Sequence, residues 1–159
     1  MAPGGFSDKQ LEGKKYMKLG IIAPVAEESF QRARDLGLDF VEFCINGTDH
    51  GERLLTLQSD IRDWIKKYGV AVGSIGRWKA EILKPDGTVD PEEIRIAQAL
   101  EQVSADLDCP NYICGCNYRS VQSLFSNYCR AVEFLEQILN SAPSGVKISL
   151  YNCRKMNFL

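Results

Sequence analysis

From Lys18 onward the chain alternates short apolar runs with longer stretches of helical period, the sequence form of repeated strand-helix units. Residues 18–23 read as a strand closed by Pro24, and residues 27–36 as a helix with Phe30 and Ala33 on one face and Gly37 as its stop. The second strand is 39–45. The helix after it spans about 52–68, with Leu54, Leu55, Leu57, Ile61, Trp64 and Ile65 as its apolar stripe and Gly69 in the cap position. A third strand covers 70–75. The next helix has the clearest start in the chain: Asp90 caps it, Pro91 takes the first position, and Glu92 and Glu93 fill the first turn, Glu93 also completing a capping box. It runs to about 107 and buries Ile94, Ala97, Leu100 and Val103. Strand four is 111–116. The last helix, 120–140, is expected to bury Val121, Leu124, Phe125, Tyr128, Val132, Leu135, Ile138 and Leu139, and after a turn at 143–145 the fifth strand is 146–151. Five strands and four helices in strict alternation imply a parallel sheet with right-handed crossovers. Two architectures carry that pattern: part of a (βα)8 TIM barrel, or an open flavodoxin-like five-stranded sheet.

Composition narrows the class. The chain has 159 residues, 45% of them apolar, enough for one domain over 17–159. Residues 1–16 lack periodicity and end just before a second Met at position 17; they read as a flexible extension without the features of a secretory signal. A formal net charge of -2 with no basic stripe gives no reason to expect a nucleic-acid partner. No apolar run approaches the roughly 20 residues a membrane span needs, so the expectation is a cytoplasmic protein with no membrane contact. The six cysteines, Cys44, Cys109, Cys114, Cys116, Cys129 and Cys153, fit that setting as reduced thiols. The cluster Cys109, Cys114 and Cys116 is the one with any look of a metal or redox site, but its spacing is not that of a zinc ribbon.

In both architectures ligands bind where strands end. An open-sheet flavin or dinucleotide site needs a glycine- or hydroxyl-rich turn after strand one, where this chain has Ala-Pro-Val-Ala-Glu-Glu; a phospho-receiver needs an Asp after strand three, where it has Gly76-Arg77. Glu42 lies inside an apolar strand, where a carboxylate is costly unless a cation or donors meet it, so it is either a substrate-facing group or part of a structural network. Asn46 follows the same strand. His50, the one histidine, stands in Asp49-His50-Gly51-Glu52 before the second helix; any His-dependent chemistry must use it, whereas a solvated or capping role is the ordinary alternative. Residues 77–89 form a long connection with a Lys-Pro-Asp-Gly-Thr turn, and a small hairpin is expected there. Arg77 and Trp78 at its root suit an anionic group and a sugar face, or else a local acid and local packing. Asn117 and Asn152 follow strands four and five.

With these residues in place, residues 17–158 resemble the amino-terminal part of the xylose isomerase-like barrel superfamily, the sugar phosphate isomerases and epimerases. The resemblance is carried by Met17-Lys-Leu-Gly-Ile-Ile-Ala, Gly37-Leu-Asp-Phe-Val-Glu-Phe, Tyr68-Gly-Val-Ala-Val-Gly-Ser-Ile-Gly-Arg, Asp90-Pro-Glu-Glu and Leu107-Asp-Cys-Pro-Asn-Tyr-Ile. It implies a divalent-metal enzyme (Mn, Co, Mg or Zn) that moves protons beside the carbonyl of a sugar or sugar phosphate, with carboxylates as acid and base. On that reading Glu42 and His50 are the catalytic candidates, and Asn46, Arg77, Trp78, Asn117 and Asn152 the substrate contacts. The family draws its metal ligands from the ends of strands five to eight, beginning with a glutamate. Here Leu150-Tyr151-Asn152-Cys153 occupies the first of those places, so no metal ligand is assigned. An eight-stranded barrel takes about 250 residues, and five strands leave two edges that invite a second copy. The expected function is therefore that of an isomerase- or epimerase-like protein, incomplete as this chain. The rival is a non-catalytic barrel fragment or interaction module.

Overall fold

The computed structural model describes residues 17–47, 49 and 51–151. The expected extension at 1–16, His50 and Asn152 lie outside the described residues. Five strands, β1 (Gly20–Ala23), β2 (Phe40–Cys44), β3 (Ala71–Arg77), β4 (Asn111–Gly115) and β5 (Lys147–Tyr151), form one parallel sheet in the order β1-β2-β3-β4-β5. Sequential order decides between the two architectures. A flavodoxin-like sheet reverses direction beside its first strand, whereas here each strand joins the edge left by the one before, as in a barrel.

The helices are α1 (Glu27–Asp35), α2 (Glu52–Thr56), α3 (Gln58–Tyr68), α4 (Pro91–Asp106) and α5 (Leu124–Ser141). The single helix expected over 52–68 is thus two, parted at Leu57, whose φ of -95° and ψ of 14° leave the helical well. Just before the break the Thr56 hydroxyl donates to the Glu52 carbonyl at 2.8 Å, a back-bond of the kind that bends helices. Asp90 caps α4 by accepting from the Glu92 amide at 3.0 Å. Glu93 does not complete the expected capping box; it turns inward to Arg77. Among the described residues no helix is long and apolar enough to cross a membrane.

The core fills the space between the sheet's outer face and the helices. Val41, Phe43, Val72, Ile75 and Tyr112 meet Phe30, Ala33, Ile61, Leu100 and Phe134 there, all buried. Because strand side chains alternate, Phe40, Glu42, Cys44, Ser74 and Gly76 point to the other, concave face, the side a barrel encloses. Phe40 fills its lower part, and glycines make the room: a Cβ on Gly20 or Gly73 would sit 2.3 Å from the Phe40 ring. The ladder between β2 and β3 shifts register after Val41, so that Ser74 rather than Gly73 stands opposite Glu42. The Asn111 side chain donates to the Gly73 carbonyl at 3.1 Å across this irregularity.

The outer helix departs most from expectation. Of the residues assigned to its buried stripe, Val121, Leu124, Phe125, Tyr128, Val132 and Leu139 are exposed and Ile138 is buried as expected, while Asn127, Ala131 and Phe134 complete the face that α5 buries. The helix also begins later than 120, at Leu124, with Ser123 as its cap accepting from the Ser126 amide at 3.1 Å.

Candidate functional site at the carboxyl ends of the strands

Glu42 sits mid-strand on the concave face, half-buried, and accepts a short hydrogen bond from the Ser74 hydroxyl. The register shift supplies that donor, so the carboxylate is satisfied by its neighbouring strand. Above it in the same strand direction come Cys44 and Asn46. The Asn46 amide nitrogen donates to the Cys44 sulfur at 2.9 Å, and its amide oxygen accepts from the Lys79 backbone N–H at 2.8 Å. This side chain therefore ties the end of β2 to the chain leaving β3.

Trp78 lies just past β3 and folds back over the concave face. Its ring covers Gly76, where a Cβ would approach the ring to 2.8 Å, and its backbone crosses Gly115, where a Cβ would come within 1.9 Å of the Trp78 carbonyl oxygen. Two strand ends without side chains are what let a large aromatic lie flat here. A cavity of about 440 Å³ opens beside it, lined by Ile22, Asn46, Trp78, Lys79 and Tyr151. Glu42 does not line it; by register it shares a layer with Ile22, one side-chain layer below Cys44 and Gly76.

Arg77 goes the other way. The strand expected to end at 75 continues to Arg77, and alternation then sends this side chain to the helix side with Ile75. It is 6% exposed and makes a two-pronged ion pair with Glu93 in the first turn of α4, one contact at 2.8 Å. An arginine whose fork already holds a carboxylate fixes the start of α4 against β3. It also borders a second, more polar groove of about 590 Å³ that shares Asn46 and Lys79 with the first and adds Lys84 and Arg119.

Asn117 is engaged on both sides of its amide. Its oxygen accepts from the Leu83 N–H at 2.9 Å and its nitrogen donates to the Leu83 carbonyl at 3.0 Å, the pattern of a strand neighbour. The connection after β3 contains the expected hairpin, an antiparallel bridge between Leu83 and Val89. It is pinned further by Arg119, which donates to the Leu83 carbonyl at 2.7 Å and the Lys84 carbonyl at 3.1 Å, and by Gln122, which donates to the Gly87 carbonyl at 2.9 Å. Neither Arg119 nor Lys79 stands out in the sequence, because each lies inside a connection whose path only the fold defines. The structure thus gathers Asn46 and Trp78 at one cavity and sends Arg77 and Asn117 to its supports.

The donor set for a divalent ion is not assembled by the described residues: no three His, Cys, Asp or Glu side chains come together there. Cys109, Cys114 and Cys116 are buried and form no disulfide among the described residues. Desolvation pushes the Cys109 thiol up to about 11 and the Cys114 thiol to about 12, so both stay protonated and are poor metal ligands or nucleophiles.

No protein-family model and no curated protein matches the sequence. Solved structures match the fold. D-psicose 3-epimerase from Clostridium cellulolyticum H10, crystallised with D-tagatose, superposes with a TM-score of 0.63 at 15% identity over 84% of this chain and 52% of its own. A D-psicose 3-epimerase studied in the presence of D-fructose gives 0.58 at 16% identity over 83% of this chain and 51% of its own. A xylose isomerase domain protein from Planctomyces limnophilus gives 0.54 at 14% identity over 86% of this chain and 54% of its own. The chain spans about half the length of the solved structures it matches, and the fold it shares with them is that of a partial α/β barrel.

Proposed function

We propose that the cavity beside Trp78 binds a small sugar or sugar phosphate, and that the chain forms this half of an isomerase- or epimerase-type site. The observation that carries the reading is the half-buried Trp78 ring held over Gly76 with Asn46 and Lys79 at its rim. A flat aromatic face suits the C–H face of a sugar, and an amide with an ammonium at its edge suits the hydroxyls or a phosphate. That two of the solved neighbours were studied with ketohexoses supports the substrate class.

Within this proposal Trp78 stacks, Asn46 and Lys79 bind hydroxyls or an anionic group, and Asn152, the residue after Tyr151 in sequence, is assigned to substrate. Arg77 and Asn117 act as positioning residues, through Glu93 and Leu83 respectively. Glu42 is the carboxylate assigned to proton transfer, with His50 as its partner in the connection after β2. Because Glu42 lies one side-chain layer below this cavity and holds the Ser74 hydroxyl, acting on substrate requires it to release that donor and the substrate to reach down to it.

The second reading is a sugar-binding module without chemistry. It is favoured by the described residues, among which no donor set for a metal comes together and the strands carry a single carboxylate on their concave face. Binding and turnover separate the two. In a Trp64→Phe background, saturable quenching of Trp78 fluorescence by D-fructose, D-tagatose or fructose 6-phosphate is expected, and its absence rejects both readings. Conversion of one ketohexose to another on addition of Mn or Co ions supports the enzyme; binding without conversion supports the module.

A further inference from the structure

The polar groove next to the Trp78 cavity is walled by the end of β2, the connection after β3, the start of α4 and Arg119 after β4, and no residue of β1 or β5 lines it. Arg77, Lys79, Lys84 and Arg119 share it with Glu81, Asp90 and Glu93. Each of those carboxylates is already engaged. Glu93 holds the Arg77 fork, Glu81 meets the Arg119 guanidinium at 3.2 Å, and Asp90 caps α4. The two lysines are left over: among the described residues neither ammonium has a carboxylate within salt-bridge distance. Asp86, the acid nearest Lys84 in sequence, accepts instead from the Thr88 amide at 2.9 Å and the Thr88 hydroxyl at 2.7 Å.

Both lysines stand on anchored backbone. The Lys79 N–H donates to the Asn46 side chain at 2.8 Å. The Lys84 N–H donates to the Thr88 carbonyl at 2.9 Å, and the Lys84 carbonyl accepts from the Gly87 N–H at 2.9 Å and from Arg119 at 3.1 Å. Two ammonium groups lining one hollow repel each other, and a shared anion removes that cost. We propose, building on the reading of Trp78 as a sugar platform, that this groove seats the phosphate of a phosphorylated sugar, and that Lys84 with Lys79 selects it over the free sugar. The two hollows meet at Asn46 and Lys79, which line both, so a phosphate at the end of a sugar on Trp78 passes Lys79 to reach Lys84. A phosphate monoester carries about two negative charges near neutral pH and three acceptor oxygens, enough to serve both lysines. Asn46 adds a neutral donor at the junction, since its amide nitrogen gives one N–H to Cys44 and has a second.

The test is isothermal titration calorimetry of the full chain with D-fructose, fructose 6-phosphate and inorganic phosphate, without added divalent metal, beside Trp78 fluorescence in the Trp64→Phe background. The parent is expected to bind fructose 6-phosphate about tenfold more tightly than D-fructose, as a charge-assisted contact supplies. Both sugars should move the Trp78 signal, and inorganic phosphate should bind more weakly than fructose 6-phosphate. Lys84→Gln should remove most of the advantage at unchanged affinity for D-fructose, and Lys84→Arg should keep it, with circular dichroism as the fold control. Raising the salt concentration on the parent gives a readout that needs no variant: fructose 6-phosphate binding should weaken and D-fructose binding should hold. Equal affinity for the two sugars, an advantage that survives Lys84→Gln, or inorganic phosphate bound as tightly as fructose 6-phosphate overturns the proposal while a responding Trp78 keeps the platform. A Trp78 signal that no sugar moves rejects the platform and the proposal together.

Discussion

The carbonyl oxygen of Trp78 passes so close to Gly115 that a Cβ on that residue would come within 1.9 Å of it. The aromatic platform proposed to take a sugar is thus set by backbone packing against a neighbouring strand as well as by the ring. Gly115→Ala is expected to push the 77–79 segment off the sheet, lowering stability by about 1–3 kcal/mol as overpacking does and weakening sugar binding. Urea denaturation reads the first effect and fluorescence titration the second.

Arg77 and Glu93 form a buried ion pair between β3 and the start of α4. Removing one partner strands a charge: Arg77→Met or Glu93→Leu should each cost about 3–5 kcal/mol, while the double variant should recover most of that loss. Chemical denaturation of the three proteins tests this, and additive losses would show that the two groups act independently.

Glu101 on α4 is fully buried, and neither of its carboxylate oxygens has a hydrogen-bond partner. Desolvation raises its pKa to about 7. Because the folded value lies above the unfolded one of about 4.3, the folded state holds the proton more tightly. The resulting stabilisation is full below about pH 4.3 and lost as pH rises through about 7. Glu101→Gln removes that dependence. Against the parent, it should gain in urea midpoint as pH rises from about 4.3 to about 7, the unfolded and folded values just given; an identical slope for both proteins would contradict the assignment.

Arg119 holds the connection after β3 through the carbonyls of Leu83 and Lys84. Arg119→Ala should speed amide exchange over residues 79–89 while leaving β1 and β2 unchanged, with a global cost of about 1–3 kcal/mol from lost hydrogen bonds to a charged group. Uniform acceleration across the sheet would point to general destabilisation instead.

Much of the strand-helix order was legible because each strand's apolar run is bounded by Gly, Pro or an acidic cap. Asp90-Pro91 marks the start of α4 unaided, and Gly37 and Gly69 follow α1 and α3 at positive φ. What pattern alone misjudged was direction. Arg77 reads as a strand-end residue over the site, yet two more residues of strand reverse the side it faces. The stripe on α5 carries two adjacent apolar rows, and periodicity alone has no means of telling which row meets the sheet. Asn46 and Trp78 were legible as candidates, because a polar or aromatic residue just past a barrel strand has few other places to go. Lys79 and Arg119 were not, since their positions depend on the path of a long connection.

The most direct test of the central claim is the indole N–H signal of Trp78 in a two-dimensional NMR spectrum, assigned with Trp64→Phe and followed while D-tagatose, D-fructose or fructose 6-phosphate is added. The account predicts a saturable shift of the Trp78 signal with at least one of these sugars, and a still Trp64 signal, because Trp64 packs on Phe30 in the core with ring centroids 5.8 Å apart. A Trp78 signal that stays in place with every sugar, or one that moves together with Trp64, would contradict it.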